Sequence, residues 1–462
     1  MDDQALLAHL RDELGGDAVL TDPDVTAGYA ADMMPLAPVG RPLAVVLPAD
    51  TAGVQAVVRA CGQARVPIVP RGAGSGLSGA ANAVDGCVML VLTKLNEIVE
   101  IDAANRLAVV QPGVVNLDLR NAVAKHGLFY PPDPSSYDWC TIGGNIATNA
   151  GGLCCVKYGV TTDSVLGLEV VLADGSLLRT GRRTVKGVAG YDLARLFVGS
   201  EGTLGVITQA TLALRPLPQA PGTLVAGFAS AEAAGEAVTR AVREGMVPSL
   251  MEIMDATSIK ASEVYLKTDL GAGSDCQALL LCQSDAGGEL AGRELAALEQ
   301  ICADCGAVMV YATDDLAEGN LLLQARRVVL TALEHYGICL TDDVCVPRTR
   351  IAELIAGCDR ISAEIGLRIA VVGHAGDGNM HPTIVYRPDD AEELDRARQA
   401  FDAILRLGLS LGGTVTGEHG IGKIKREWLE REIGPVALRV HRQLKQALDP
   451  ENLFNPGSMF TG

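Results

Sequence analysis

Apolar and polar positions change rhythm several times along the chain. Residues 1–36 read as a short helix, within MDDQALLAHLRDELGG, and an irregular lead-in ending near Met33, Met34 and Pro35. Beyond it, short unbroken apolar runs alternate with stretches of helical period. LAVVLP (43–48) predicts a strand, TAGVQAVVRACGQAR (51–65) a helix, and VPIV and CVMLVL (87–92) two more strands. LAVVQPG predicts a strand, NLDLRNAVAKHGL a helix, and LGLEVVLADGSLLR a hairpin around Ala-Asp-Gly. GTLGVITQATLALRPLP reads as a long strand closed by prolines, which puts a domain boundary at Arg215 to Pro221.

A second rhythm follows. TLVAGF, SLMEIM, QALLLCQ and AVMVYAT predict strands, with helices in SAEAAGEAVTRAVREG and GRELAALEQICADCG. Repeated β-α-β material of this kind predicts an antiparallel α+β sheet with helices on one face. RIAVVGHAGDGNMHPTIVYR adds two strands around a glycine-rich turn, and helices run from there to the C-terminus.

Composition narrows the function. The chain has 462 residues and a net charge of −18, which argues against a nucleic-acid footprint, normally a basic patch on a basic domain. The N-terminus lacks the basic start and apolar centre of a secretory signal, and no apolar run approaches the ~20 residues of a membrane helix, so the chain reads as cytoplasmic. Among 12 cysteines only Cys302 and Cys305 form a C-x-x-C, with no second pair to complete a four-ligand set. These two, and the vicinal Cys154 and Cys155, read as small hydrophobes. Glycine, at 52 residues, is about 11 % of the chain against roughly 7 % on average.

That glycine is concentrated. In PRGAGSGLSGAANAVDG (70–86), Gly74, Gly76 and Gly79 satisfy G-x-G-x-x-G, yet the next strand begins too soon for the crossover helix of a dinucleotide-binding βαβ unit. The loop instead suits an anion nest of successive N–H groups, with Arg71 beside it. A second cluster, PPDPSSYDWCTIGGNIATNAGGLCCVKYG (131–159), mixes glycines with Thr141, Asn145, Thr148 and Asn149. A third is FVGSEGTLGVIT (197–208). Three such segments in one domain point to one extended ligand.

PRGAGSGLSGA, TIGGNIATNAGG and GSEGTLGVIT, in that order, resemble the FAD-binding domain of the vanillyl-alcohol oxidase and p-cresol methylhydroxylase superfamily. Within it the chain is most similar to the branch of glycolate oxidase FAD-linked subunits, cytochrome-type D-lactate dehydrogenases and D-2-hydroxyglutarate dehydrogenases. The resemblance implies an α+β protein: a two-part FAD-binding domain over 37–218, an α+β substrate domain of ferredoxin-like repeats over 219–440, and a helical segment, 441–462, returning to the FAD domain. It places the FAD pyrophosphate on Arg71, Gly72, Ala73, Gly74, Ser75, Gly76, Leu77, Ser78 and Gly79. Pro132, Asp133, Ser136, Thr141, Gly143, Gly144, Asn145, Thr148 and Gly152 would line the flavin and ribityl side, with Glu201 and Ile207 on the adenosine portion and Asn455 in FNPG returning to the flavin. Residues 66–80 contain no histidine, so the FAD is expected to be dissociable.

The last third holds a second kind of signal. His374 and His381 bracket the turn in HAGDGNMH, where both imidazoles can face one side, and GEHGIGK (417–423) places Glu418 beside His419. Two histidines and a carboxylate make a set that leaves positions open for substrate. The resemblance assigns His374, His381 and Glu418 to a divalent metal (zinc, iron or manganese) and His419 to the general base. It gives the substrate carboxylate to Arg326 in QARRVVL, with Arg327 as the second candidate. The implied reaction is oxidation of a D-2-hydroxy acid, or glycolate, to the 2-keto acid, with hydride passing to flavin N5.

Two departures bear on substrate. The hydroxyglutarate branch tends to read GDGNLHLN and to carry a lysine shortly before its DVSLP-like strand, whereas this chain has Pro382 and Thr383 after His381, and Thr341 in place of that lysine. A small monocarboxylate, D-lactate or glycolate, is therefore expected, with Lys423 or Arg348 as substitutes were a second carboxylate bound. The alternatives are an FAD-binding subunit of a multi-subunit glycolate-oxidase-like complex with a mainly structural or electron-transfer role, and a D-2-hydroxyglutarate dehydrogenase. The electron acceptor, the partner subunit and a homodimer stay open.

Overall fold

The computed structural model describes residues 1–268, 270 and 275–460. The described residues form two units. One comprises Met1–Gly151, Gly159–Leu217 and Glu418–Gly462; the other comprises Gly152–Tyr158 and Pro218–Gly417.

In the first unit, four strands lie in the order Val19–Leu20, Ala44–Val46, Val88–Val91, Ile68–Arg71. The last three are parallel. Residues 72–87 join two parallel neighbours without a helix, long enough to cross over yet irregular throughout. The C-terminal segment extends this sheet: Ile68 donates to Leu453 O at 2.8 Å and Asn455 to Ile68 O at 2.8 Å. A separate five-stranded antiparallel sheet runs Ile98–Asp102, Leu107–Val110, Val206–Ala213, Val165–Val171, Leu177–Gly181.

Helix Thr51–Ala64 carries its apolar residues at 54, 57, 58 and 61. That stripe packs with Val46, Ile68 and Leu90 of the first sheet and Val171 and Val206 of the second, so one amphipathic helix ties the two sheets into one core. Asp50 caps it by accepting from Gly53 N at 2.8 Å.

The second unit is built on one antiparallel sheet. Its strand order is Ala307–Thr313, Gly222–Phe228, Ala278–Ser284, Leu250–Asp255, Arg368–His374, Asn379–Tyr386, Ile338–Thr341, with Val344–Cys345 also paired to Asn379–Tyr386. The first four strands follow the fourth-first-third-second order of a ferredoxin-like repeat. A second repeat abuts it where Leu250–Asp255 pairs with Arg368–His374. Helices Ala231–Arg243, Gly288–Asp304, Ile351–Ile365 and Ala391–Ser410 form one layer on this sheet.

Helices on a single face, the sequence expectation, need correcting. The Gly222 face is covered by Leu295 of helix Gly288–Asp304, but the adjacent residue Thr223 meets Gly319 of helix Leu316–Arg327 on the opposite face. Helices Ala256–Leu266, Leu316–Arg327 and Val329–Glu334 supply Ile259, Leu323 and Leu333 to a core with Val225, Leu281 and Val372 on that side. The strands Gly222–Phe228 and Leu250–Asp255 are buried at every position, and unbroken burial requires cover on both sides.

The second unit also ends at Gly417, ahead of the 440 expected from sequence. The final helix belongs to the first unit. Lys445 Nζ donates to Thr203 O and Phe454 O, both at 2.8 Å, and Leu448 packs on the core of the antiparallel sheet. Residues 461 and 462 of the C-terminal segment lie outside the described residues.

Candidate functional site

The first glycine loop is a backbone cradle. Among the described residues, no N–H from Gly72 to Ser78 donates to another group of the chain, and residues 72–77 are half-buried. Unsatisfied N–H groups turned to one side bind anions. Gly74 has φ +86°, and a Cβ there would lie 2.0 Å from a terminal nitrogen of Arg71, so only glycine leaves that guanidinium in place. Arg71 is buried and donates to Ala81 O at 3.4 Å.

The second cluster folds as a short helix, Ile142–Thr148, capped by Thr141. Gly143 and Gly144 lie half-buried in its first turn, and Thr148 Oγ1 turns back to Gly144 O at 3.2 Å. Asn145 is buried, and its Oδ1 accepts from Asn116 Nδ2 at 3.0 Å; the same amide donates to Pro132 O at 3.1 Å. Asp133 and Ser136 are half-buried beyond it. Gly152 begins the short segment assigned to the second unit. The buried hydroxyls of Ser78 and Tyr130 have no partner within the described chain. The free N–H run, with the orphaned Ser78 hydroxyl at its end, fits a ligand with an anionic middle, as FAD is.

Two side chains expected on the adenosine portion are engaged elsewhere. Ile207 is buried in the core that also holds Val110, Ile146 and Leu168. Glu201, with φ +52°, accepts from Ile421 N at 2.7 Å and Gly422 N at 2.8 Å. Ser458 Oγ donates to the same carboxylate at 3.2 Å. Asn455 Nδ2 donates to Ala80 O and Glu201 O, both at 2.8 Å. Glu201 thus fixes the turn that follows Glu418 and His419, whose side chains lie 3.8 Å apart. Burial pushes its carboxyl up to about 7, against the opposing effect of the two N–H donors.

Lys423 closes the same turn. Its Nζ donates to Asn82 O at 2.5 Å and Ala83 O at 3.2 Å, and burial lowers its ammonium to about 8. That engagement removes it as a partner for a second substrate carboxylate.

In the second unit the site is made of side chains. His374 and His381 project from one face of neighbouring strands, with Nε2 atoms 3.3 Å apart and rings crossed at 82°. Their connecting turn is tight: a Cβ on Gly376 would fall 2.5 Å from Val156. His374 Nδ1 donates to Glu252 Oε1 at 2.6 Å, and Arg326 Nε donates to Glu252 Oε2 at 2.9 Å. Arg326 stands on helix Leu316–Arg327 at the end of the stripe Gly319, Leu322, Leu323, whereas Arg327 faces solvent. Asp343 lies 3.8 Å from His381 Nδ1 and accepts from Thr416 Oγ1 at 2.6 Å and Gly417 N at 2.9 Å.

Two imidazole nitrogens bound to one tetrahedral ion at about 2.1 Å each stand about 3.4 Å apart. The Nε2 separation of 3.3 Å matches that spacing. With its Nδ1 side turned to Glu252, His374 presents Nε2 toward Nε2 of His381, the ring atom each imidazole would offer to a shared ion. Asn379, on the same face as His381, adds a buried Oδ1 without a partner in the described chain. The donor set fits a divalent transition ion.

Glu252, Asp343 and Asn379 were not singled out by sequence reasoning. A signal for Glu252 was present, as a lone charge inside the apolar strand LMEIM.

A glycine-lined anion loop in one unit and a buried histidine–carboxylate–arginine cluster on a ferredoxin-like sheet in the other define a flavin-linked oxidoreductase. The chain belongs to the FAD-linked oxidases: residues 217–459 match the family described as "FAD linked oxidases, C-terminal domain", and residues 42–181 match "FAD binding domain".

It is 42 % identical over 420 residues to "Glycolate oxidase subunit GlcD" of Bacillus subtilis, covering 91 % of this chain and 89 % of that one. It is 34 % identical over 458 residues to "D-lactate dehydrogenase" of Anaerostipes hadrus, covering 97 % and 95 %. Among solved structures, p-cresol methylhydroxylase with substrate bound superposes with a TM-score of 0.83 at 20 % identity, covering 99 % of this chain and 96 % of that one, a likeness of fold. No helix among the described residues is long and apolar enough to cross a membrane.

Proposed function

We propose that the chain oxidises a small D-2-hydroxy monocarboxylate, glycolate or D-lactate, to the 2-keto acid. When bound, FAD supplies the hydride acceptor, and a divalent ion on His374, His381 and Glu418 supplies Lewis acidity. Arg326 holds the substrate carboxylate through its two terminal nitrogens, since Nε is committed to Glu252. His419 takes the hydroxyl proton on a ring nitrogen. The loop from Arg71 to Gly79 holds the pyrophosphate, and the 141–148 helix turn approaches the flavin side.

The observation that carries this reading is the buried Glu252 carboxylate joining Arg326 to His374. Anion-binding and cation-binding groups are thereby held together inside the protein. The preference for a monocarboxylate rests on Thr341 and Thr383. These form a cross-strand pair with Oγ1 atoms 3.1 Å apart, beside His381 on the same face. The pair puts two uncharged hydroxyls, and no cation, at the position where a second carboxylate would need a charged partner. Because similar proteins are named as subunits of glycolate oxidase, the reading includes transfer of electrons to a partner subunit.

His419→Ala should retain FAD but show no anaerobic bleaching of the flavin by D-lactate or glycolate. Normal bleaching would sink the base assignment.

A further inference from the structure

We propose that Glu252 is a positioning residue that sets the substrate-carboxylate arginine and the metal-side histidine with one side chain. The proposal rests on the roles given above to Arg326 and His374. Glu252 sits in strand Leu250–Asp255, buried at every position, and its own side chain is wholly shielded from solvent. Backbone register places it directly opposite His374. Arg326 arrives from the helix on the same face.

A buried carboxylate in such a strand is costly, and a packed hydrophobic residue would serve stability as well or better. The triad's geometry instead has three effects on function. Accepting the Nδ1–H of His374 fixes its tautomer, leaves Nε2 as the donor atom, and raises its basicity as a ligand. Engaging Arg326 at Nε fixes the plane of the guanidinium and leaves only its terminal nitrogens for a carboxylate. The negative charge between them also lowers the repulsion between the guanidinium and a cation on the histidines. Glu252 touches neither substrate nor cofactor in this account.

The test uses the FAD-loaded full chain and Glu252→Gln, with zinc affinity measured by chelator competition and KM and kcat measured with glycolate. Glutamine cannot accept from both partners. Zinc affinity should fall about 10- to 100-fold, and KM should rise at least about tenfold, with FAD stoichiometry and melting temperature held near wild type. Glu252→Asp keeps the charge with a shorter reach and should fall between the two; it carries the test should the glutamine variant not fold. Unchanged zinc affinity and KM in a variant whose parent binds zinc would overturn the proposal. A wild-type chain that binds no zinc defeats the metal reading itself, and an unchanged KM then overturns the arginine half as well.

Discussion

The two halves of the chemistry are made from different materials. Around residues 71–79 the protein offers its backbone: small residues, a left-handed glycine, and a run of N–H groups with no acceptor in the described chain. Around His374 it offers side chains, each anchored on a strand or helix and each backed by a buried carboxylate. A backbone site is set by local conformation, so its tolerance is lost when a Cβ is added. A side-chain site is set by sheet register and buried charge, so it is lost when a single partner is removed.

The largest expected effect falls on the side-chain site. Arg326→Met removes the proposed substrate-carboxylate holder and strips Glu252 of one of its two partners; kcat/KM for glycolate should drop about a thousandfold, by analogy with buried charge pairs. FAD content should be unaltered. A loss of FAD in this variant would erase the proposed division of labour.

The backbone site should respond in the opposite sense. Gly74→Val places a branched side chain at φ +86° against Arg71. FAD affinity should weaken about 10- to 100-fold, from strain of one to three kcal/mol, while zinc affinity is retained. FAD affinity equal to wild type would show that the loop is not the cradle.

Glu201 gives a pH-dependent comparison. Its carboxyl stands at about 7 in the folded chain against an ordinary 4.5, so the native state holds the proton longer than the unfolded one. Stability therefore falls as pH rises from about 4.5 to about 7. Glu201→Gln should lose that fall, by about 1 to 3 kcal/mol, when melting curves of both proteins are compared across the window. Parallel curves would contradict the assignment.

The smallest effect concerns specificity. Thr341→Lys breaks the pair with Thr383 and adds a cation near His381. KM for a D-2-hydroxy dicarboxylate should improve several-fold, a modest gain for one exposed-end charge contact, with KM for glycolate nearly unchanged.

Much of this was legible in the chain. Strand-length apolar runs located the sheets, because strands buried on both faces read as continuous hydrophobic segments. The glycine loops were visible because backbone sites demand glycine. The histidines of HAGDGNMH were visible because a short turn between strands must bring its flanks together. Register was not legible: Glu252 stood out as a lone charge in an apolar strand, but nothing local says that Leu250–Asp255 pairs with the His374 strand, so its partners were hidden. The burial of Ile207 in the core and the turn of Glu201 toward Ile421 and Gly422 were hidden for the same reason, since both depend on contacts distant in sequence.

The central claim is metal-assisted oxidation of a D-2-hydroxy monocarboxylate at flavin. It is met most directly by anaerobic titration of the purified FAD-loaded protein with glycolate, D-lactate and L-lactate, with flavin absorbance followed before and after treatment with EDTA and after zinc, iron(II) or manganese is restored. The account predicts bleaching by glycolate and D-lactate, none by L-lactate, loss after chelation and recovery with a divalent ion. Bleaching by L-lactate, or full bleaching by glycolate and D-lactate after complete removal of metal, would contradict it.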